Sequence, residues 1–452
     1  MFVSWNQSRY VRYYPQHFYE TSTTDTKKFF SIFPFVAQMI MHCGVENEAD
    51  IGFYSGLIES LFSLTQMLTM LPWGWLADRF GRKPVLVFSL FGSTVFTVLF
   101  GFSTTVWQMV LFRCLAGVFS GSVVAARSMI SELSTKKTQA RAFSYFSAAS
   151  NVGIMLGPFI GGLLATPAEQ YPGTFGNVQL FKDYPYALAN IAAGVISLTA
   201  MLVTVIFVKE TLTGVKQGAE PPKPMSTWEL VSSTGVAYVL FLYSFCAFLG
   251  MGYTALLTVF WYTKSSLGGL SFSPLMISIF LGIGGGAQTL WTLFVFPWMH
   301  KRYGNLGTLR YAYNVWPVVF ACWILGNYLL RWGEDLIFWI FVSVAWLMAC
   351  SVALGYTGSQ LILNDISPSH NTLGTLNALA MTITSGIRAV VPALFSSEFA
   401  VGVKYHILGG HLAMVTLGVL SIIQRIALEW LPEKARGLPE KPTQDEEEVA
   451  HG

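Results

Sequence analysis

Twelve long apolar stretches, separated by short polar turns, constrain this chain more than any other feature of its sequence. They lie near residues 29–43, 51–77, 84–102, 106–131, 140–165, 185–208, 234–262, 272–299, 309–330, 335–361, 372–396 and 406–430. A helix needs about 20 apolar residues to cross a hydrocarbon core ~30 Å thick. A spanning strand would alternate over about ten residues, and these runs are too long and too uniform for that. Backbone groups in lipid must bond within their own segment, which leaves helices. Composition agrees: 53% of the 452 residues are hydrophobic and 11% are charged, against about 25% charged in soluble domains. The expected fold is an all-α membrane protein with twelve transmembrane helices.

An even number of spans puts both termini on one side. With that side cytoplasmic, the inner loops hold Arg79, Arg82, Lys83, Lys136, Lys137, Arg141, Lys209, Lys216, Lys223, Lys301, Arg302 and Arg310. The outer loops hold only Lys182, Lys264, Arg331 and Lys404. That is the bias of the positive-inside rule. Residues 209–233 are polar and rich in proline and glycine, so they are expected to be a cytoplasmic linker between two six-helix bundles, 29–208 and 234–430. Residues 1–28 form a polar N-terminal segment, and 431–452 an acidic cytoplasmic tail expected to lack structure. The halves echo each other. "TQARAFSYFSAASNVGIMLGPFIGG" begins at Thr138 and "TLGTLNALAMTITSGIRAVVPALFS" at Thr372, with prolines at matching positions, Pro158 and Pro392. Duplicated halves imply a pseudo-symmetric bundle.

The first span is the exception. Phe29 to Cys43 covers about 22 Å at the helical rise, short of the ~30 Å core. Either this first helix starts within the membrane depth and is truncated, or the chain's true start differs.

Several function classes are excluded. The bases are scattered in short turns, so no nucleic-acid surface is expected. The five cysteines (Cys43, Cys114, Cys246, Cys322, Cys350) are widely spaced, without a CxxC pair, and read as buried thiols. No histidine-rich loop or acid–histidine cluster suggests a metal site, and no cofactor motif appears. No nucleophile–base set lies in the spans, so the chain is not expected to be an enzyme. His411, near the outer start of span twelve, reads as structural.

The turn "GWLADRFGRKP", residues 74–84, joins spans two and three on the inner side. Asp78 is placed to face the positive end of a helix. Arg82 is placed to pair with Glu132 at the inner end of span four. In span five, Gly153, Gly157 and Gly161 are spaced by four and share a face that lets another helix approach closely. Pro158 leaves a carbonyl unpaired. Packing alone, or packing with a coupling role, fits that face.

The turn resembles the loop signature G-x-L-A-D-R-x-G-R-K of the major facilitator superfamily, met at Gly74, Leu76, Ala77, Asp78, Arg79, Gly81, Arg82 and Lys83. In span four, "RCLAGVFSG" is similar to the family pattern R-x-x-x-G, with Arg113 and Gly117. In span five, "GIMLGPFIGG" resembles G-x-x-x-G-P-x-x-G-G through Gly153, Gly157, Pro158, Gly161 and Gly162, the mark of the proton-coupled antiporter branch. The run "VFSGSVVAARSMISE" and the general layout resemble fungal and plant zinc-induced-facilitator-like carriers. The resemblance implies alternating access, with a small molecule exported in exchange for protons. It implies a conformational latch made by the turn residues with Glu132. A monomer in the plasma or vacuolar membrane is expected. A proton symporter or uniporter, and a non-transporting sensor or receptor, remain the alternatives.

Charge in hydrocarbon is costly, so each charged residue inside a span marks a candidate site. These are Arg113 and Arg127 in span four, Arg388 in span eleven and Glu59 in span two. On an unbroken helix Arg113, Gly117, Ser120 and Arg127 would share a face, with the arginines about 21 Å apart. Arg113 is expected to face a cavity. Arg127 either snorkels or faces that cavity, and Arg388 serves either gating or substrate charge. Ser55, Glu59, Ser63 and Gln66 form a polar stripe on span two. Glu59 is the one acid placed well inside a span, about 12 Å from its outer end, and is the expected proton carrier.

Overall fold

The computed structural model describes residues 35–45, 48–211, 226–272, 274–368 and 372–436. The polar segment 1–28, the start of span one, most of the linker and the tail from 437 lie outside the described residues. Among the described residues there is no strand. Span one is represented by α1 (Val36–His42), and spans two and three by α2 (Glu48–Phe80) and α3 (Arg82–Gly101). Span four is split into α4 (Val106–Val118) and α5 (Ser122–Leu133). α6 (Lys136–Leu164) and α7 (Ala187–Phe207) are spans five and six.

The later spans follow the same plan. α8 (Val236–Tyr262) is span seven, and α9 (Pro274–Leu290) begins span eight. α10 (Phe296–Arg331) ends span eight and supplies span nine. It turns at Gly304, where φ is 67°, a value that glycine reaches without a Cβ penalty. α11 (Asp335–Cys350) and α12 (Ala353–Ile366) make span ten, α13 (Leu373–Lys404) span eleven and α14 (Leu412–Ala427) span twelve. Among the described residues, nine helical stretches are long and apolar enough to cross a membrane, counting α4 with α5, α9 with α10 and α11 with α12 as one stretch each. α2, although 33 residues long, is not among them, because Glu59, Gln66 and its serines dilute it. The molecule is a multi-pass, all-helical membrane protein.

Spans four and ten, the fourth of each half, are both broken near their middles, at Phe119–Gly121 and Ser351–Val352. A break at membrane depth frees carbonyls that need a donor. In span four the Trp73 indole donates to the Val118 carbonyl at 2.6 Å, and Gly121 lies where a Cβ would come within 2.5 Å of the Trp73 ring. In span ten Ser351 donates to the Met348 carbonyl at 2.7 Å. The break corrects the single-face reading of span four. Arg113 and Arg127 sit on separate helices and reach different partners.

Turns two–three, four–five and ten–eleven meet at one end of the bundle with the residues that follow span six. Asn305 joins this end by donating to Asp365 at 2.6 Å. We call it the inner end, after its positive residues. At the outer end Asn327 donates to the Ser265 carbonyl at 3.0 Å, and buried His411 meets the Leu408 carbonyl. Trp107 and Trp332 are exposed at span ends, where amphipathic rings suit the lipid–water boundary. Only Cys246 and Cys350 are buried; Cys43, Cys114 and Cys322 are half-buried.

α2 and α13 pack directly across the two halves. A Cβ on Gly74 would lie 2.3 Å from the Ala378 Cβ, and one on Gly386 would lie 2.9 Å from the Met67 sulfur. Small residues allow such approach where no hydrophobic force draws helices together. Gly74→Ala is expected to cost about 1–3 kcal/mol by overpacking. Adding Ala378→Gly removes the opposing Cβ and should restore most of it, as read from the melting temperature of the purified protein.

Candidate functional site

The inner junction is built around Arg82, whose side chain is fully buried. Its Nε and Nη2 donate to Glu132 Oε1, each at 3.0 Å. Its Nη1 donates to Asp78, one helical turn earlier. Asp78 faces two ways. Its other oxygen accepts the backbone N–H of Thr375 at 3.0 Å and also the Thr375 hydroxyl. Thr375 lies in the first turn of α13, so the carboxylate meets the positive end of a helix in the opposite half. Gly374 has no room for a side chain, since a Cβ there would lie 2.1 Å from Asp78 Oδ1.

The sequence reading passed over Glu210 and Thr211. Gly81 starts α3 with φ 106° and no side-chain cap, which leaves N–H donors to be met. Glu210 meets them, accepting from the Arg82 N–H at 2.9 Å and the Lys83 N–H at 3.0 Å. Thr211 donates to Glu132 Oε2 at 2.6 Å. The strand of chain leaving span six thus closes the cluster. Lys83 donates to the Val205 carbonyl at 2.8 Å. Arg79 points outward and stacks on Trp75 and Phe80. The signal for Glu210 was its place as the first acid after span six, which the linker reading absorbed.

Deeper in the bundle, Arg113 donates to Glu59 at 3.2 Å and lies over the Phe62 ring at 4.4 Å. It is buried inside the first half, where it lines a small void with Thr97 and Asn190. The Glu59 side chain is 25% exposed, and its Oε1 is buried without a hydrogen-bond partner. Ser63 and Gln66, further along the stripe, are buried. Gln66 bridges the halves, accepting from Ser385 at 3.0 Å and from Arg388 at 3.5 Å.

Arg127 does not snorkel. It donates to the Tyr243 hydroxyl at 2.9 Å and to Gln360 at 2.6 Å, both in the second half. Gln360 donates in turn to Asn377 at 2.8 Å. Arg388 lies within electrostatic range of Glu59, Tyr356, Tyr243 and Arg127. Tyr243 and Gln360 carried no sequence signal, because an isolated polar residue in an apolar run has no pattern.

In span five, Gly153, Gly157 and Gly161 are buried, and Gly162 borders open space. The side chain of Pro158 lies outside the described residues. α6 packs against α9 of the other half, where a Cβ on Gly285 would lie 3.4 Å from the Met155 Cβ.

The profile of the Major Facilitator Superfamily matches residues 29–392. The chain belongs to that superfamily. It is 46% identical over 422 residues to the efflux pump azaK of Aspergillus niger, covering 92% of this chain and 87% of the relative. It is 29% identical over 442 residues to Protein ZINC INDUCED FACILITATOR 1 of Arabidopsis thaliana, covering 89% and 87%. The fold resembles that of the human organic anion transporter MFSD10 (TETRAN), with a TM-score of 0.72, 16% identity and coverage of 92% and 99%. A member of this superfamily is a small-molecule transporter, and that class is not an enzyme class.

Removing one partner of a buried ion pair costs about 3–5 kcal/mol. Glu132→Gln is therefore expected to weaken the inner junction more than Arg79→Gln, whose guanidinium is exposed. A cysteine at Ser385, in a background without the native cysteines, should label faster from the inner side in Glu132→Gln and at the parental rate in Arg79→Gln.

Proposed function

We propose that this chain exports a small molecule by alternating access, and that protonation of Glu59 is the coupling step. The carrying observation is the inner junction, where Asp78 on α2 holds the N-terminus of α13. Such a contact is stable with the inner ends together and must break for them to part. Asp78, Arg82, Lys83 and Glu132, with Gly74 and Gly81 giving the necessary close approach, act as the latch. Arg79 contributes topology. The buried glycines Gly153, Gly157 and Gly161, with Pro158 and Gly162 completing the pattern, would give the close helix packing on which the coupled motion depends. Export is supported by the likeness to an efflux pump. The two halves, 29–208 and 234–430, are the moving bodies.

Glu59 supplies the titratable group. While ionised it pairs with Arg113. Once protonated it releases the arginine, and the balance of charge along the seam changes. A cationic substrate would compete with the proton for Glu59 and exchange with it. An anionic substrate would favour protonation, so proton and substrate would occupy the site together. The sense of coupling thus depends on substrate charge. A second reading, joint movement of proton and substrate, is favoured by Arg113, Arg127 and Arg388, which outnumber Glu59 among the described residues of this region.

The test is release of preloaded organic dyes and acids from proteoliposomes bearing the full chain, with and without an imposed pH difference. The wild type should accelerate release of at least one compound, and the pH difference should alter the rate. Glu59→Gln should keep binding but lose that pH response, a change of about 5–150-fold for a coupling of ~1–3 kcal/mol. An unchanged response in Glu59→Gln excludes it as the proton carrier. No release of any compound supports a non-transporting receptor.

A further inference from the structure

The start of α13 is held on two faces. Thr375 and Asn377 are two residues apart, about 200° around the helix, so they meet different neighbours. Thr375 donates its backbone N–H to Asp78 on α2 of the first half, at 3.0 Å. Asn377 is fully buried and meets α12. Its Oδ1 accepts from Gln360 Nε2 at 2.8 Å, and its Nδ2 donates to the Leu373 carbonyl, in the first turn of α13, at 2.9 Å. Gln360 Oε1 in turn accepts from Arg127 Nη1 at 2.6 Å, and Arg127 belongs to α5 of the first half. A continuous relay of hydrogen bonds therefore runs from the first half, through α12, into the same helical turn that carries Thr375.

The relay has one sense. A guanidinium has donors and no acceptor, so Arg127 draws the oxygen of Gln360 to itself and sends its NH2 group towards Asn377. That group needs an oxygen, and Asn377 supplies one. The NH2 group of Asn377 is then left for the Leu373 carbonyl. Asn364 bears the cost of this arrangement. Both amides direct N–H groups at its Oδ1, Gln360 at 3.3 Å and Asn377 at 3.4 Å, while Asn364 Nδ2 is buried without a hydrogen-bond partner. A buried donor without a partner carries its desolvation in full, so the sense is imposed by the arginine and not by the amides. When Arg127 leaves, that constraint goes, and the first turn of α13 loses one of its two holds.

We infer that Asn377 is a positioning residue of the latch. Through Gln360 it passes the grip of Arg127 to the turn that offers Thr375 to Asp78, so the two cross-half contacts form and break together. This rests on reading the inner junction as a latch that opens. Gly374 makes the junction sensitive to that turn. A Cβ there would lie 2.1 Å from Asp78 Oδ1 and 2.4 Å from Arg82 Nη1, so a small shift of the turn is felt at the buried ion pair. Tyr243, the other acceptor of Arg127, stands outside the relay.

The experiment uses the full chain in lipid nanodiscs, with spin labels at the exposed positions Phe80 and Lys301. It reads the ratio of long-distance to short-distance populations. Asp78→Asn and Arg127→Gln are made singly and together, as a double-mutant cycle. Each should raise the ratio. Together they should raise it at least about fivefold less than the product of the single effects, because losing one contact already weakens the other. Asn377→Leu, close in shape but without hydrogen bonds, should bring the pair within about twofold of that product. An Asn377 that serves packing alone would change the melting temperature and leave the discrepancy in place. Tyr243→Phe, which removes a partner of Arg127 without cutting the relay, should leave it in place too. A melting curve shows whether Asn377→Leu is folded. If it is not, Gln360→Glu decides: it keeps an oxygen on Arg127, offers Asn377 no N–H, and should abolish the discrepancy. Single effects that simply multiply in the native background overturn the inference. So does a discrepancy that survives in folded Asn377→Leu or in Gln360→Glu, or a ratio that none of the variants moves.

Release from proteoliposomes keeps the two proposals apart. Transport with independent effects of Asp78→Asn and Arg127→Gln overturns the relay and leaves the transporter reading. Coupled effects that need Asn377, without release of any compound, support the relay and overturn transport.

Discussion

Everything at the inner end depends on one guanidinium without exposed surface. Arg82 persists there because Asp78 and Glu132 bond it and Glu210 caps the backbone beneath it. Desolvating an ion pair can cost more than its attraction returns, so such clusters are weak evidence for stability as such. Their better-attested value is in fixing one arrangement against others. The Arg82 cluster ties together the turn after span two, the inner end of span four, the chain leaving span six and the start of span eleven. Of these contacts, the bonds from Thr375 to Asp78 are the ones that reach the second half, and they form only when the inner ends are together.

The outer half of the seam is built differently. Along α2 the small residues and the Gln66 bridge keep α13 close as far as Arg388, where charged groups replace close packing. Span two carries a polar stripe, of which Ser63 and Gln66 are buried against protein. The breaks in spans four and ten belong to the same design. The break in span four separates Arg113, which pairs within the first half, from Arg127, which reaches the second. A helix continuous through residue 120 would have placed both on one face.

What could be read from the residues, and what could not, follows from range. The spans were legible because an apolar run of membrane length has few alternatives. The placement of Asp78 toward a helix start and of Arg82 toward Glu132 was legible because the turn and span ends fix which charges share one side. The break at Phe119–Gly121 was hidden in an apolar run without proline; the donor that meets its freed Val118 carbonyl is the Trp73 indole, 45 residues away in sequence. The inward turn of Arg113 and the bonds of Arg127 to Tyr243 and Gln360 depend on helix rotation and tertiary partners, which periodicity alone cannot supply. Glu210 was missed because an acid in a polar stretch looks solvated until the capless start of α3 is seen beside it.

We propose that the bonds from Thr375 at the start of α13 to Asp78, whose carboxylate Arg82 orients, hold the inner ends together and open in the transport cycle. The most direct measurement is the distance distribution between spin labels at the exposed positions Phe80 and Lys301, recorded in lipid nanodiscs. The native chain should show mainly one short-distance population. Asp78→Asn, which keeps the side-chain shape but removes the charge, should add a second, longer-distance population. The same single distribution in both proteins would contradict the claim and reduce the junction to a static contact.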